Sequence, residues 1–141
     1  MKAGAVIDTL QAWHALVDGH DPRALQDLLA EEVVFHSPVV HTPQRGRAIT
    51  TLYLTAALQV LGGEHFRYLR EIVGVRDAVL EFVTEIEGVQ INGIDLIRWD
   101  DEGRIIDFKV MVRPLKAVHA LHGAMARMLQ HPSPTPSGDP S

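Results

Sequence analysis

The chain has 141 residues, 46% of them hydrophobic, and 13 Lys and Arg against 18 Asp and Glu give a net charge of −5. That length suits one domain with its own core, and the composition excludes wholesale disorder. The acidic balance argues against a nucleic-acid partner, which needs a basic face, and the absence of cysteine excludes disulfides, thiolate nucleophiles and Cys-held metals.

The N-terminal apolar stretch is broken at Asp8, which makes a poor signal peptide. No run approaches the ~18 apolar residues that span a bilayer. The expectation is a soluble, cytoplasmic protein with no membrane role. Val6, Leu10, Trp13, Leu16 and Val17 recur at helical spacing and predict a first amphipathic helix ending near Asp18-Gly19. Asp21-Pro22 reads as a helix start, since Asp can cap and Pro fits the first turn. The second helix runs to about Ala30 and presents Leu25, Leu28 and Leu29 to a core. Glu32 to His36 predicts a short strand, which Pro38 interrupts. A loop through His41 and Gln44 leads to Arg45-Gly46.

A long helix follows from about Arg47 to Leu61, with Ile49, Leu52, Tyr53, Ala56, Ala57 and Val60 as its stripe. Gly62-Gly63 stops it. His65 to Val75 is a strand. Ala78 to Glu87 is the next, with Leu80, Phe82, Thr84 and Ile86 on one face and Glu81 and Glu85 on the other. Val89 to Trp99 and Ile105 to Arg113 pair as a hairpin around the acidic turn Asp100-Asp101-Glu102-Gly103. Pro114 ends the last strand. Leu115, Val118, Leu121, His122, Met125 and Leu129 form a C-terminal amphipathic helix. Residues 1–130 therefore read as one domain, and the Pro/Ser-rich stretch 131–141 as a disordered tail.

This order predicts an α+β fold: a cone-shaped barrel in which a curved antiparallel sheet wraps a long helix, with a C-terminal helix added. The antiparallel expectation rests on connections too short for helical crossovers. The interior of such a cone is an apolar hollow, a default ligand site.

Asp95 is the residue that stands out. Side chains alternate across a strand, so it shares a face with Ile97 and Trp99. An acid on an apolar face is costly unless it is hydrogen-bonded, protonated or working. The bland alternative is a solvated strand end.

The layout of residues 5–115 resembles the nuclear transport factor 2-like superfamily, which includes the ketosteroid isomerases, SnoaL-like polyketide cyclases and limonene epoxide hydrolases. Four features carry the resemblance: Trp13 before Asp21, Val34-Phe35-His36-Ser37-Pro38, Arg45-Gly46 opening the long helix, and Gly93-Ile94-Asp95 with Asp101-Glu102-Gly103-Arg104-Ile105. By resemblance to the isomerases, Asp95 takes the place of a protonated Asp in an oxyanion hole. The chain departs elsewhere. The isomerases' general base is an Asp before Pro, where this chain has Ser37. Their second oxyanion donor is a Tyr on the first helix, where it has Trp13. The cyclases and hydrolases place a catalytic Asp in the last strand, at Val110. The hydrolases' middle-strand Arg and Asp fall on Val83 and Glu85.

The resemblance and the apolar faces together give a candidate site. Asp95, His41 and Tyr53 are its catalytic candidates, and Trp13, Phe35, Ser37, Phe82, Ile97 and Val110 its ligand-binding ones. His41 could supply the base that Ser37 cannot. Tyr53 is either plain core with a satisfied hydroxyl or a donor near Asp95. His14 reads as an ordinary surface residue. Arg113 reads as an ion-pair partner or an anion clamp. His119 and His122, three apart on the last helix, are two ligands and not a metal site, so no metal or cofactor is expected.

Two functions follow. One is an isomerase or cyclase acting on a small apolar carbonyl or cyclic compound, with Asp95 as acid or hydrogen-bond donor. The other is a non-catalytic ligand-binding or interaction domain. Val79, Val83 and Met111 on the outer sheet face predict a homodimer.

Overall fold

Alternation of apolar and polar residues along the strands decides where the core lies. In the computed structural model the backbone is described for residues 3–19, 21 and 23–130, with side chains from residue 9 onward. The expected tail 131–141, His20 and the helix start at Pro22 lie outside the described residues. The elements run α1 (Ala3–Gly19), α2 (Arg23–Leu28), β1 (Leu29–His36), β2 (Gln44–Arg45), α3 (Arg47–Leu61), β3 (Arg67–Val73), β4 (Asp77–Ile86), β5 (Val89–Trp99), β6 (Ile105–Arg113) and α4 (Leu115–Gln130). The sequence predicts all of these but the two-residue β2, although Leu29 and Ala30, expected to end the second helix, open β1 instead.

The six strands form one curved sheet in the order β2-β1-β6-β5-β4-β3. Its two edges are not joined, so the cone is open rather than a closed barrel. The expected antiparallel sheet needs one correction, because β1 lies parallel to β6. Short connections constrain only strands that follow one another, and β1 and β6 are separated by about half of the chain.

Every second residue of β4, from Ala78 to Ile86, is buried. Opposite them on β5 stand Ile97, Asp95, Gly93 and Ile91 in turn, also buried. The β4–β5 turn holds Glu87 at φ 50° and Gly88 at φ 83°, the left-handed pair that suits a two-residue hairpin. At the next hairpin Asp100 Oδ1 accepts from the backbone N–H groups of Glu102 and Arg104.

Two hydroxyls tie helices to this frame. Thr84 Oγ1 donates to the carbonyl of Leu61 at 2.8 Å, satisfying one of the free carbonyls at the end of α3. Thr9 Oγ1 donates to the Gly103 carbonyl at 2.8 Å and pins α1 to the β5–β6 hairpin. Leu10, Trp13, Leu16 and Val17 of α1 and Leu54 of α3 then cover the inner face with Phe35, Phe82 and Phe108. No helix among the described residues is long and apolar enough to cross a membrane.

Candidate functional site

Between α1, α3 and the inner sheet face lies a hollow with almost entirely apolar walls. Val17, Leu54, Leu58, Leu61, Phe82 and Phe108 are among its lining, and Trp13, Tyr68 and Asp95 bring the polar atoms. The cleft encloses about 410 Å³ out to its mouth, of which about 40 Å³ can hold the centre of a water molecule. At roughly 10–15 Å³ per water on that measure, the inner space takes about three or four waters.

Asp95 is 6% exposed. β5 puts it there by alternation, facing Leu80 on β4 and Val110 on β6. Its Oδ2 accepts from the Tyr68 hydroxyl at 2.7 Å. That hydroxyl in turn accepts from Trp13 Nε1 at 2.9 Å. The three side chains come from β5, β3 and α1 and meet only through the fold. Burial, which disfavours the charged form, pushes the Asp95 carboxyl up to about 7, and the Tyr68 hydrogen bond pulls it partly back. The same burial raises Tyr68 well above the ordinary phenol range, and the neighbouring Asp95 charge adds to it. Tyr68 is therefore a neutral donor across the physiological range.

Four expected site residues meet in the hollow: Trp13, Phe82, Asp95 and Val110. Five lie elsewhere. Phe35 is core, with its ring centroid 5.8 Å from Tyr53 and 6.2 Å from Phe108. Ile97 is buried two residues along β5 from Asp95 but outside the lining. Tyr53 is half-buried against Phe35 and contributes no atom to the hollow. Ser37 Oγ accepts from the Val39 N–H at 3.1 Å and so serves a local turn. His41 is exposed in the loop that follows. The physical reason is common to the last two: beyond His36 the chain leaves the sheet, so the strand's alternation no longer aims side chains inward.

Other readings change as well. His14 is more than a surface residue. It pairs with Glu71 at 2.6 Å and sets its ring edgewise to Tyr68 at 5.2 Å. Arg113 donates to Asn92 Oδ1 at 3.2 Å and forms no ion pair among the described residues. His36 Nε2 lies 3.0 Å from Asp107 Oδ1. Among the described residues no three His, Asp or Glu side chains gather to hold a metal.

Tyr68 is the site residue that sequence reasoning missed. Phe66 and Tyr68 alternate, which was the available signal. The register hides it. Pairing counted back from the β3–β4 turn runs Val73 with Ala78 to Arg70 with Glu81, and would then set Leu69 opposite Phe82. An irregularity between Tyr68 and Arg70 sets Tyr68 there instead, and Leu69 turns out to solvent.

The SnoaL-like domain model matches residues 10–108, and the chain belongs to that family. A steroid delta-isomerase from Pseudomonas aeruginosa, known as a crystal structure, is 39% identical, with a TM-score of 0.86 over 92% of this chain and 94% of that one. A protein with a cystatin-like fold from Silicibacter pomeroyi is 33% identical, with a TM-score of 0.77 over 86% of this chain and 90% of that one. The epoxide hydrolase/cyclase-like enzyme SalBIII, of pyran ring formation in the polyether salinomycin, is 15% identical at a TM-score of 0.65 over 80% of this chain and 95% of that one, a likeness of fold alone. No curated protein sequence matches the chain.

Proposed function

We propose that the protein binds a small, largely apolar carbonyl or cyclic compound in the hollow and acts on it as an isomerase or cyclase, with Asp95 as acid or hydrogen-bond donor. One observation carries this reading: a buried carboxyl with one hydrogen bond among the described residues, lining an apolar hollow. Below about pH 7 the group is mostly neutral, and a neutral acid can donate to a carbonyl oxygen or an enolate. In a water-poor site such a donor stabilises developing negative charge more than it would in water. Likeness to the Pseudomonas aeruginosa steroid delta-isomerase supports the reaction class. The inner space of about 40 Å³ sets a limit. A ring compound fits only if half-buried lining side chains, Leu58 and Phe66 among them, give way.

A screen of small cyclic ketones and enones, read by thermal shift and by ultraviolet absorbance of the conjugated product, tests the proposal. Turnover should fall about 100-fold or more in Asp95→Ala, the usual scale for losing a proton-transfer group. Unchanged turnover in that variant would remove Asp95 from the chemistry.

A second reading has its own support. Proton removal from carbon needs a base, and neither Ser37 nor His41 nor a second carboxyl lines the hollow. A ligand held beside Asp95 and never converted would make the protein a binding domain.

The homodimer is also a proposal. On the outer sheet face Ile72, Val79 and Leu96 stand in one cross-strand row, and Ile94 and Met111 in another. Polar pairs such as Arg70–Glu81 and Arg98–Asp77 flank them. A second copy laid on this face would bury those rows. Sedimentation at micromolar concentration should show two chains per particle, and a monomer there refutes the pairing.

A further inference from the structure

The hydrogen bonds at Asp95 have a direction, and the direction can be derived. An indole N–H only donates, so at 2.9 Å Trp13 Nε1 makes the Tyr68 oxygen an acceptor. Tyr68 has one hydrogen left to give, and Asp95 Oδ2 at 2.7 Å is the acceptor it meets. If Asp95 donated to Tyr68 instead, the phenol hydrogen would be left without a partner inside the protein, which is costly. Oδ2 therefore accepts in both charge states of the carboxyl. When Asp95 is neutral its proton must sit on the other oxygen, Oδ1, which makes no hydrogen bond among the described residues and belongs to a side chain that lines the hollow. Tyr68 has little freedom to turn away. Its ring is held edgewise by His14, Phe66 and Phe82, with centroids at 5.2, 5.0 and 6.5 Å.

We propose that Tyr68, oriented by Trp13, is a positioning residue that puts the proton of neutral Asp95 on Oδ1, so that the hollow offers one carboxylic O–H to a hydrogen-bond acceptor on an apolar ligand. This rests on the reading of the hollow as a ligand site and narrows its ligands. A ketone, ether or epoxide oxygen fits the neutral site, whereas an ammonium, which only donates, does not. Ionising Asp95 removes the donor. The residues that α1, α3, β4 and β6 bring to the hollow beside Asp95, and Leu80 and Val110 opposite it on the neighbouring strands, are all without a titrating group. From β3 the titratable neighbour is Tyr68, with Glu71 and its partner His14 farther out.

The test needs no ligand in its first arm. Asp95 is followed by ¹³C NMR of its carboxyl in the wild type, Tyr68→Phe and Trp13→Phe. If Tyr68 donates to Oδ2, its loss destabilises the carboxylate and the Asp95 midpoint rises, by about one to two pH units for a hydrogen bond to a charged group. Trp13→Phe should raise it less, because the phenol is then free to accept from the acid. A Tyr68→Phe midpoint that stays or falls overturns the proposal. Should that variant not fold, the infrared C=O stretch of neutral Asp95 in the wild type decides. An accepting Oδ2 gives a lowered frequency, and a free-carbonyl frequency overturns the assignment.

The second arm uses cyclopentanone. It should bind the wild type at about pH 5.5 and at least tenfold more weakly at about pH 8.5, where the donor is gone. Asp95→Asn should bind it equally at both pH values, since Tyr68 would hold the amide oxygen and aim the NH₂ into the hollow. If cyclopentanone binds no form of the protein, the ligand reading fails while the titration result stands. If it binds wild type independently of pH, the O–H donor is refuted.

Discussion

Two carboxyls sit one step apart in the same pair of strands and behave oppositely. Asp95 stands opposite Leu80 on the inner face, and Glu81, the residue after Leu80, stands opposite Ile94 on the outer face. Burial pushes Asp95 up to about 7. Glu81 is pulled below its ordinary value by hydrogen bonds from Asn92 and then Arg70, at 3.1 and 3.0 Å. Strand and hairpin are shared, so the chemistry is set by the face alone. On the outer side the sheet supplies donors and water. On the inner side it supplies rings and one phenol. Such a face makes a carboxyl available as a neutral acid near pH 7, which its partner across the sheet cannot become.

The largest way to disturb this contrast is to remove an inner wall. Phe82 is fully buried, so Phe82→Ala should cost ~3–5 kcal/mol in chemical denaturation and widen the hollow beside Asp95. A cost below about 1 kcal/mol would mean that the inner face is not a packed one. Next comes Asp95→Asn. The folded value is raised, so the wild type loses stability as pH climbs from the ordinary 3.8 to about 7 and is flat above. Converted at ~1.36 kcal/mol per pH unit, the gap corresponds to about 4 kcal/mol. The amide variant should regain up to that much at pH ~8 and nothing at pH ~3.5. Equal stabilities at both pH values would show that Asp95 ionises as freely as in water.

A smaller effect is expected at Gly93, which faces Phe82 across the ladder. A Cβ there would lie 2.6 Å from both the Met111 carbonyl oxygen and Phe82 Cζ. The backbone cannot yield cheaply, so Gly93→Ala should destabilise by ~1–3 kcal/mol, and an unchanged melting temperature would contradict that close approach. The smallest effect belongs to the outer carboxyl. Glu81 has a lowered value, so its contribution is present above the ordinary 4.5 and is lost as pH falls through the folded value. Glu81→Gln should match the wild type at low pH and fall slightly below it at neutral pH. Its difference from wild type thus opens with rising pH in the direction opposite to that of Asp95→Asn.

Much of this was readable from residue order. Period-two alternation placed Asp95 and Phe82 on inner faces, helical spacing turned Trp13 inward, and the family resemblance pointed to Val110. Those patterns need only the neighbours along the chain, because a strand or helix has a fixed repeat. Ser37, His41 and Tyr53 show where that logic stops. The first two lie past the end of β1 at His36, around and beyond the proline break, where no repeat aims the side chain. Tyr53 is on the core side of its helix, but which core neighbour it meets depends on how α3 crosses the sheet.

The sequence by itself determined the elements, the faces and the presence of one acid among apolar side chains, since local repeats and hydrophobic patterning suffice for these. Only the tertiary structure decided what that acid touches. A one-residue irregularity in β3 turns Tyr68 inward in place of Leu69, and the packing of α1 brings Trp13 to the same hydroxyl. Trp13 and Tyr68 are 55 residues apart, and Tyr68 and Asp95 27. Contacts at such separations come from register and packing, which no local repeat encodes.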